Sequence, residues 1–291
     1  MSQPASAQAQ SPVRVVASFS ILSDLVRQVA GDGAVVKSLV GPNGDAHVYE
    51  PTPADAQELL AADLFVINGL GFEGWIPRLI KASGFKGEVV TVTKGIKLLP
   101  MTGEHHHGHE EEGVDHADPH AWHDVANGRI YVANITAALV RLAPEQATTF
   151  RANADRYDRQ LAELDRWAAS QLDAIPVAKR KVITSHGSFG YFSRAYGVTF
   201  LSLLGVSTNK EPAARDVANL VVQAKREGIK AIFVENMNDP RLVKQLAREA
   251  GIALGKTVYT DALSAPDGPV PTYEQLIRHN VTLFTQALTG G

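Results

Sequence analysis

The sequence predicts an α/β protein made of two parallel-sheet lobes joined by one long rigid α-helix, and three observations predict it. Short β-rich runs alternate with helical patterns through the first half of the 291 residues. The same alternation restarts in the second half. Between the halves lies a single helical stripe, opened near Pro144 and stopped by Pro176, longer than an ordinary globular helix. Strands separated by helices favour a parallel sheet with helical crossovers, so each half is expected to form its own lobe. The expected divisions are a disordered tail over 1–11, a first α/β lobe over 12–143, a linking helix over 144–175 and a second α/β lobe over 176–291.

In the first lobe, Val13 to Phe19 reads as a strand, and Ile21 to Ala30 sets Leu22, Leu25, Val26 and Val29 at helical spacing. Ala34 to Val40 is a second strand. Thr52 to Ala62 has the marks of a helix start, with Pro53 just inside and Asp55 in the first turn. Leu64 to Asn68 is a strand, Trp75 to Ala82 a helix, Glu88 to Val92 a strand and Asn127 to Leu142 a helix. The linking helix carries Phe150, Tyr157, Leu161, Leu164, Ala168 and Leu172 on one stripe; roughly 30 residues at 1.5 Å rise span roughly 45 Å. In the second lobe the expected strands are Lys181 to Ser185, Val198 to Leu201, Lys230 to Glu235 and Lys256 to Tyr259. The expected helices are Ser188 to Tyr196, Ala213 to Glu227, Pro240 to Ala250 and Tyr273 to Leu288.

Composition removes several classes of function. A net charge of -3 with scattered Lys and Arg gives no electrostatic case for nucleic-acid binding. No run of about 18 apolar residues encodes a membrane span. The first twelve residues are small and polar and lack the apolar core of a signal peptide. The protein is therefore either cytoplasmic or a mature form whose export signal has been replaced by a start Met. The sequence holds no cysteine, which excludes disulfides, thiolate metal sites and a Cys nucleophile among these residues, and no lipid anchor through an N-terminal Cys is expected. Any metal site must use nitrogen and oxygen.

Such a site is suggested by the histidines. Seven of the ten fall between His105 and His123; the others are His47, His186 and His279. Imidazole is the commonest protein ligand for transition metals. In open α/β sheets, ligands bind outside the carboxyl ends of strands, and four metal-competent residues sit there. His47 follows the second strand, His120 the fourth, His186 directly follows the strand ending at Ser185, and Asp261 follows the strand ending near Tyr259. Each alone has an ordinary reading: His47 as a loop histidine, His120 as part of a polar segment, His186 as a helix cap, Asp261 as a turn residue. Two from each lobe at one kind of position point to a metal in the interlobe cleft.

Five segments occur in an order that resembles the zinc- and manganese-binding receptor proteins of bacterial ABC-type metal importers. They are His47-Val-Tyr-Glu-Pro51, Asn68-Gly-Leu-Gly-Phe-Glu-Gly-Trp75, Asp118-Pro-His-Ala-Trp122, His186-Gly-Ser-Phe-Gly-Tyr-Phe192 and Thr260-Asp-Ala-Leu263. The resemblance runs from about Pro12 to the end. It implies a solute-binding protein rather than an enzyme, periplasmic in its mature form, with one divalent metal buried between the lobes. Carried over residue by residue, it implies His47, His120, His186 and Asp261 as ligands. It also implies a cognate membrane permease as partner, with a periplasmic zinc chaperone as a further one, no nucleic acid, and a monomer. Manganese-type members place a carboxylate at the third ligand position and zinc-type members a histidine; this chain has His186. Three nitrogens and one oxygen suit tetrahedral Zn²⁺, whereas Mn²⁺ favours more oxygen.

Zinc-type members often carry a His-rich insertion, matched here by the loop at about 103–119. His105, His106, His107, His109 and His116 stand there among six carboxylates. With almost no apolar residue, the loop is expected to be mobile without metal and to collect Zn²⁺ at additional weak sites. His123 is grouped with this capture set, although it also stands close to the main site. Glu235 ends a strand on the ligand side and is expected to hydrogen-bond a ligating imidazole. Asn68 and Glu73 are expected to fix loops near the cleft. The alternatives are a manganese receptor of the same family and, from another class, a zinc hydrolase with three histidines and an open position. No His-Glu-x-x-His or Gly-x-Ser-x-Gly pattern supports the hydrolase.

Overall fold

In the computed structural model, residues 11–101, 117–208 and 212–290 are described. The first lobe runs β1 (Val13–Phe19), α1 (Ser20–Ala30), β2 (Ala34–Val40), α2 (Pro53–Leu60), β3 (Leu64–Ile67), α3 (Ile76–Ser83), β4 (Glu88–Thr91) and α4 (Val125–Leu142). Then come α5 (Ala147–Asp173), β5 (Lys181–Thr184), α6 (Gly190–Tyr196), β6 (Thr199–Ser202), α7 (Ala214–Glu227), β7 (Ala231–Ile232), α8 (Arg241–Ala250), β8 (Ala253–Leu254) and α9 (Tyr273–Thr289). Each lobe has a four-stranded sheet, ordered β2-β1-β3-β4 in the first and β6-β5-β7-β8 in the second. Every pairing is parallel. The two sheets therefore share one strand order, and both direct their carboxyl ends at the cleft.

Local chemistry places the helix starts. Thr52 and Asp55 form a reciprocal capping box at α2, with Pro53 at its first position. Asp124 caps α4 through the amide of Ala126, and Thr272 caps α9 through that of Gln275. Helix α5 holds 27 residues, about 40 Å at 1.5 Å per residue. Its stripe of Phe150, Tyr157, Leu161, Leu164, Ala168 and Leu172 is buried, and it packs against α1, α4, α6 and α9. One continuous apolar core accordingly runs from Phe19 and Leu22 through Leu161 and Leu164 to Phe192 and Phe284. A second, smaller core lies between the second sheet and helices α7 and α8, around Ile183, Leu220 and Leu246. Wide hinge opening of whole lobes would have to break the first core.

Two expected strands differ from the structure. Lys230 to Glu235 is laddered only at Ala231–Ile232, and the partner is Ala253–Leu254 rather than Lys256 to Tyr259. The cause is a bulge. Pairing resumes at a single bridge, Glu235 with Val258, three residues along one strand but four along the other. Gly255 lies against the ring of Phe233, where a Cβ would come within 2.6 Å of it. That close approach needs glycine. The bulge stands just before Glu235 and Asp261, where it re-aims both. Among the described residues, no helix is long and apolar enough to cross a membrane. The tail expected over 1–11 and the His-rich loop expected at about 103–119 lie almost wholly outside the described residues.

Candidate metal centre

Four side chains converge at the carboxyl ends of the two sheets. One donor atom from each of His47, His120, His186 and Asp261 lies within 4.8 Å of all the others. The Nε2 atoms of His47 and His120 are 3.1 Å apart, and those of His186 and His120 are 3.3 Å apart. Asp261 Oδ2 stands 3.3 Å from His47 Nε2 and 3.2 Å from His186 Nε2, while its Oδ1 is 3.7 Å from His120 Nε2. Four donors about 2.0–2.1 Å from a common centre form a tetrahedron with edges of about 3.3–3.4 Å, close to the spacings among the Nε2 pairs given and from Asp261 Oδ2. Both Asp261 oxygens are buried without a hydrogen-bond partner. A buried, unsatisfied carboxylate facing three imidazoles calls for a cation.

The loops around these residues fix their aim. His47 follows β2 in a turn where Asn43 takes a left-handed conformation (φ 54°), which asparagine tolerates. The Asp45 carboxylate accepts the His47 amide at 2.8 Å, and Trp75 donates its indole N–H to the Ala46 carbonyl at 2.8 Å. Asp118 accepts from the His120 amide at 2.9 Å, and its Oδ1 lies 2.8 Å from the ring Nδ1. Glu235 accepts the amides of Ser185 (2.8 Å) and His186 (3.0 Å), and its other oxygen lies 2.5 Å from His186 Nδ1. A carboxylate at Nδ1 keeps the proton there and leaves the Nε2 lone pair facing the centre. Glu73 is buried and accepts from Ser18 Oγ and from the amides of Asn68 and Gly69. It closes a loop in which Leu70 is also left-handed (φ 57°). Trp122 ties the lobes together by donating to the Thr260 carbonyl at 3.0 Å.

The charges follow from this packing. Burial alone would lower the His186 pKa, but the Glu235 and Asp261 carboxylates overcome it and hold it well above the usual imidazole value. His120 is raised in the same way, burial opposing and Asp261 and Asp118 prevailing. For His47, burial prevails over Asp261 and the pKa is lowered. Burial would raise Asp261, yet His186 and His120 hold it well below the ordinary carboxylate value. The centre thus keeps one anion and attracts positive charge, whether protons or a metal ion.

The site residues read from the sequence divide into three groups. His47, His120, His186 and Asp261 meet at one point, and Glu235 lies 2.5 Å from a ring nitrogen of His186. His105, His106, His107, His109 and His116 lie outside the described residues. His123 does not belong with them. It is fully buried in the turn Ala121–His123, with its ring 4.5 Å from Phe189 and 5.6 Å from Trp122 and no partner at either nitrogen. Burial drives its pKa down to about 3, so it stays neutral between Trp122 and Phe189. Two carboxylates escaped the sequence reading, Asp45 and Asp118. Each stands two residues before a histidine of the cluster, and that Asp-x-His spacing, which permits an Asx turn, was the available signal. Asp118→Asn and Glu235→Gln should each weaken any metal held here by about 10–100-fold with the fold intact. A competing chelator measures the change; unchanged affinity in both would mean that the carboxylates only brace the backbone.

The family described as zinc-uptake complex component A, periplasmic, matches residues 15–287. The chain is 32% identical to the manganese-binding lipoprotein MntA of Halalkalibacterium halodurans, over 95% of this chain and 89% of that protein. It is 34% identical to the iron-binding protein YfeA of Yersinia pestis, over 94% of this chain and 85% of that one. Among solved structures, the periplasmic zinc-binding protein TroA from Treponema pallidum shares the fold with a TM-score of 0.88 at 28% identity, covering 96% of this chain and 99% of that one.

Proposed function

The chain belongs to the periplasmic zinc-uptake component A family, the metal-binding receptors of ABC importers, and from that premise we propose that it captures Zn²⁺ in the periplasm through His47, His120, His186 and Asp261 and hands it to a membrane permease. The observation that carries this reading is the donor set, three imidazole nitrogens and one carboxylate within 4.8 Å. Such a set suits four-coordinate Zn²⁺ and is poor in the oxygen that Mn²⁺ favours. Three neutral imidazoles and one carboxylate also leave a filled site near +1, less costly to bury than a bare dication. Four protein donors close the coordination shell, which fits retention of cargo rather than activation of a water. Manganese is the second reading, favoured by the manganese-binding relative at 32% identity.

Metal-free protein titrated with Zn²⁺ and Mn²⁺ in competition tests the first reading, since a given nitrogen and oxygen site already favours Zn²⁺ over Mn²⁺. One tight equivalent is expected, with Zn²⁺ displacing Mn²⁺ at equal concentration and X-ray absorption giving four nitrogen and oxygen donors. Mn²⁺ retained against equimolar Zn²⁺ would overturn the zinc assignment. The His-rich stretch is proposed to collect Zn²⁺ weakly and pass it to the cleft. Deletion of residues 104–115 should slow loading and remove the weak equivalents while the tight site stays. Stoichiometry and loading rate equal to the parent's would dispose of that role.

A further inference from the structure

We propose that Asp45 is a positioning residue that ties retention of the metal to the second lobe, with the Thr208 hydroxyl as its partner. The inference rests on the four-residue site as the metal-binding site. Of the four side chains, His120, His186 and Asp261 are completely buried, whereas His47 retains 5% exposure. His47 is thus the member of the four that reaches solvent, and its hold bears on departure of the ion.

The two first-lobe histidines are held unequally. Asp118 grips both the amide and the ring of His120, and its outer oxygen is packed so closely on Gly190 that a Cβ there would collide with it. Asp45 grips only the backbone of His47, through Oδ1. Its Oδ2 accepts the hydroxyl of Thr208 at 2.7 Å, from the other lobe and 163 residues along the chain. Thr208 stands on the segment after β6, which is anchored on both sides of His186. The Leu204 amide donates to the Ser185 carbonyl, and the Gly187 amide donates to the Gly205 carbonyl, each at 2.9 Å. A continuous bonded path thus runs from His186 through residues 204–208 to Asp45 and His47. A cavity of about 330 Å³, lined by Ser185, Leu203, Leu204 and Thr208 among others, lies beside this segment and leaves it room to shift.

Other contacts hold the His47 loop against the second lobe when Thr208 lets go. The Asn43 amide donates to the Leu263 carbonyl at 2.9 Å, and Asn236 donates to the Asn43 side chain at 2.9 Å. Loss of the Thr208 hydroxyl should therefore loosen His47 without undocking the loop.

The test is release of Zn²⁺ from the full-length protein to an excess of chelator, followed by stopped flow, with association measured in parallel. Thr208→Val keeps the shape and removes the donor. It should speed release about tenfold, as expected for one hydrogen bond to a charged group, with the association rate within about twofold of the parent's. Thr208→Ala, measured alongside, removes the same donor and should also speed release, and it decides the matter if Thr208→Val does not fold. Thr208→Ser should restore the parent rate. Release from Thr208→Val at the parent rate overturns the inference and leaves the metal site standing, as does fast release from both Thr208→Val and Thr208→Ser. A parent protein that takes up no Zn²⁺ overturns both.

Discussion

Asp261→Ala should weaken zinc binding by at least about a hundred-fold, the largest loss expected from any single substitution in this protein. A closed four-ligand zinc site is worth about 10–16 kcal/mol at neutral pH, so an equal share is about 3 kcal/mol per ligand, or a little over a hundred-fold in Kd. Asp261 carries more than an equal share because it is the one anion facing the three Nε2 atoms. Without it, the filled centre would hold a full dication among buried imidazoles, where charge is costly. Asp261→Asn keeps the shape and removes the charge, so it separates the electrostatic part from the lost donor and should fall between parent and alanine. Competition against a chelator gives both constants. A thermal scan gives a second readout: a hundred-fold loss removes about 2.7 kcal/mol of zinc-dependent stabilisation at fixed metal concentration. Zinc binding by Asp261→Ala at the parent's affinity would mean that the four residues are not the site.

Zinc affinity should fall steeply on mild acidification, beginning on the alkaline side of the ordinary imidazole value of about 6.5. Coordination needs neutral imidazoles. In the metal-free protein His186 and His120 are held above that value, His186 well above it, despite burial that acts the other way. Below those raised values each must shed a proton to bind, so Kd should rise up to about tenfold per pH unit for each, or about a hundred-fold per unit for both. His47, whose pKa is lowered by burial, joins only at more acid pH. Asp261 stays ionised throughout, because His186 and His120 hold its pKa well below the usual carboxylate value against burial.

The metal-free protein should behave oppositely. A histidine raised on folding contributes stability that is complete below its unfolded value of about 6.5 and is lost as pH rises through the raised value. The share from Asp261 is present above about 3.8 and is lost as pH falls from there. His47, lowered on folding, opposes the other two histidines below about 6.5. Melts of both forms from pH 5 to 8, with proton release measured in buffers of different ionisation enthalpy, test this. A Kd that stays flat between pH 8 and 5.5 would contradict it.

Much of the architecture was legible in the residues because local chemistry wrote it. Pro53 with Thr52 and Asp55 marks one helix start, Pro144 and Pro176 bracket the long helix, and the stripe from Phe150 to Leu172 is the buried stripe observed. The four clustered residues were also legible, since each follows a strand or the single bridge at Val258, and parallel strands bring such positions to one edge. The end of the second sheet was not. Lys256 to Tyr259 has strand-forming residues, but the extra residue near Gly255 shifts the register, and only the packing of Phe233 against Gly255 shows why.

The alternation of elements and the nitrogen and oxygen donors on offer could be read from the residues alone, because periodicity, capping and donor type are local properties. Three-dimensional packing was needed to bury His123 against Phe189 rather than leave it in a surface loop, to bring Asp118 onto the His120 ring, and to carry Asp45 across to Thr208. It alone joined the lobes through one core along α5. Burial and orientation are set by atoms far apart in the chain, and no local pattern encodes which of two polar residues the fold will desolvate.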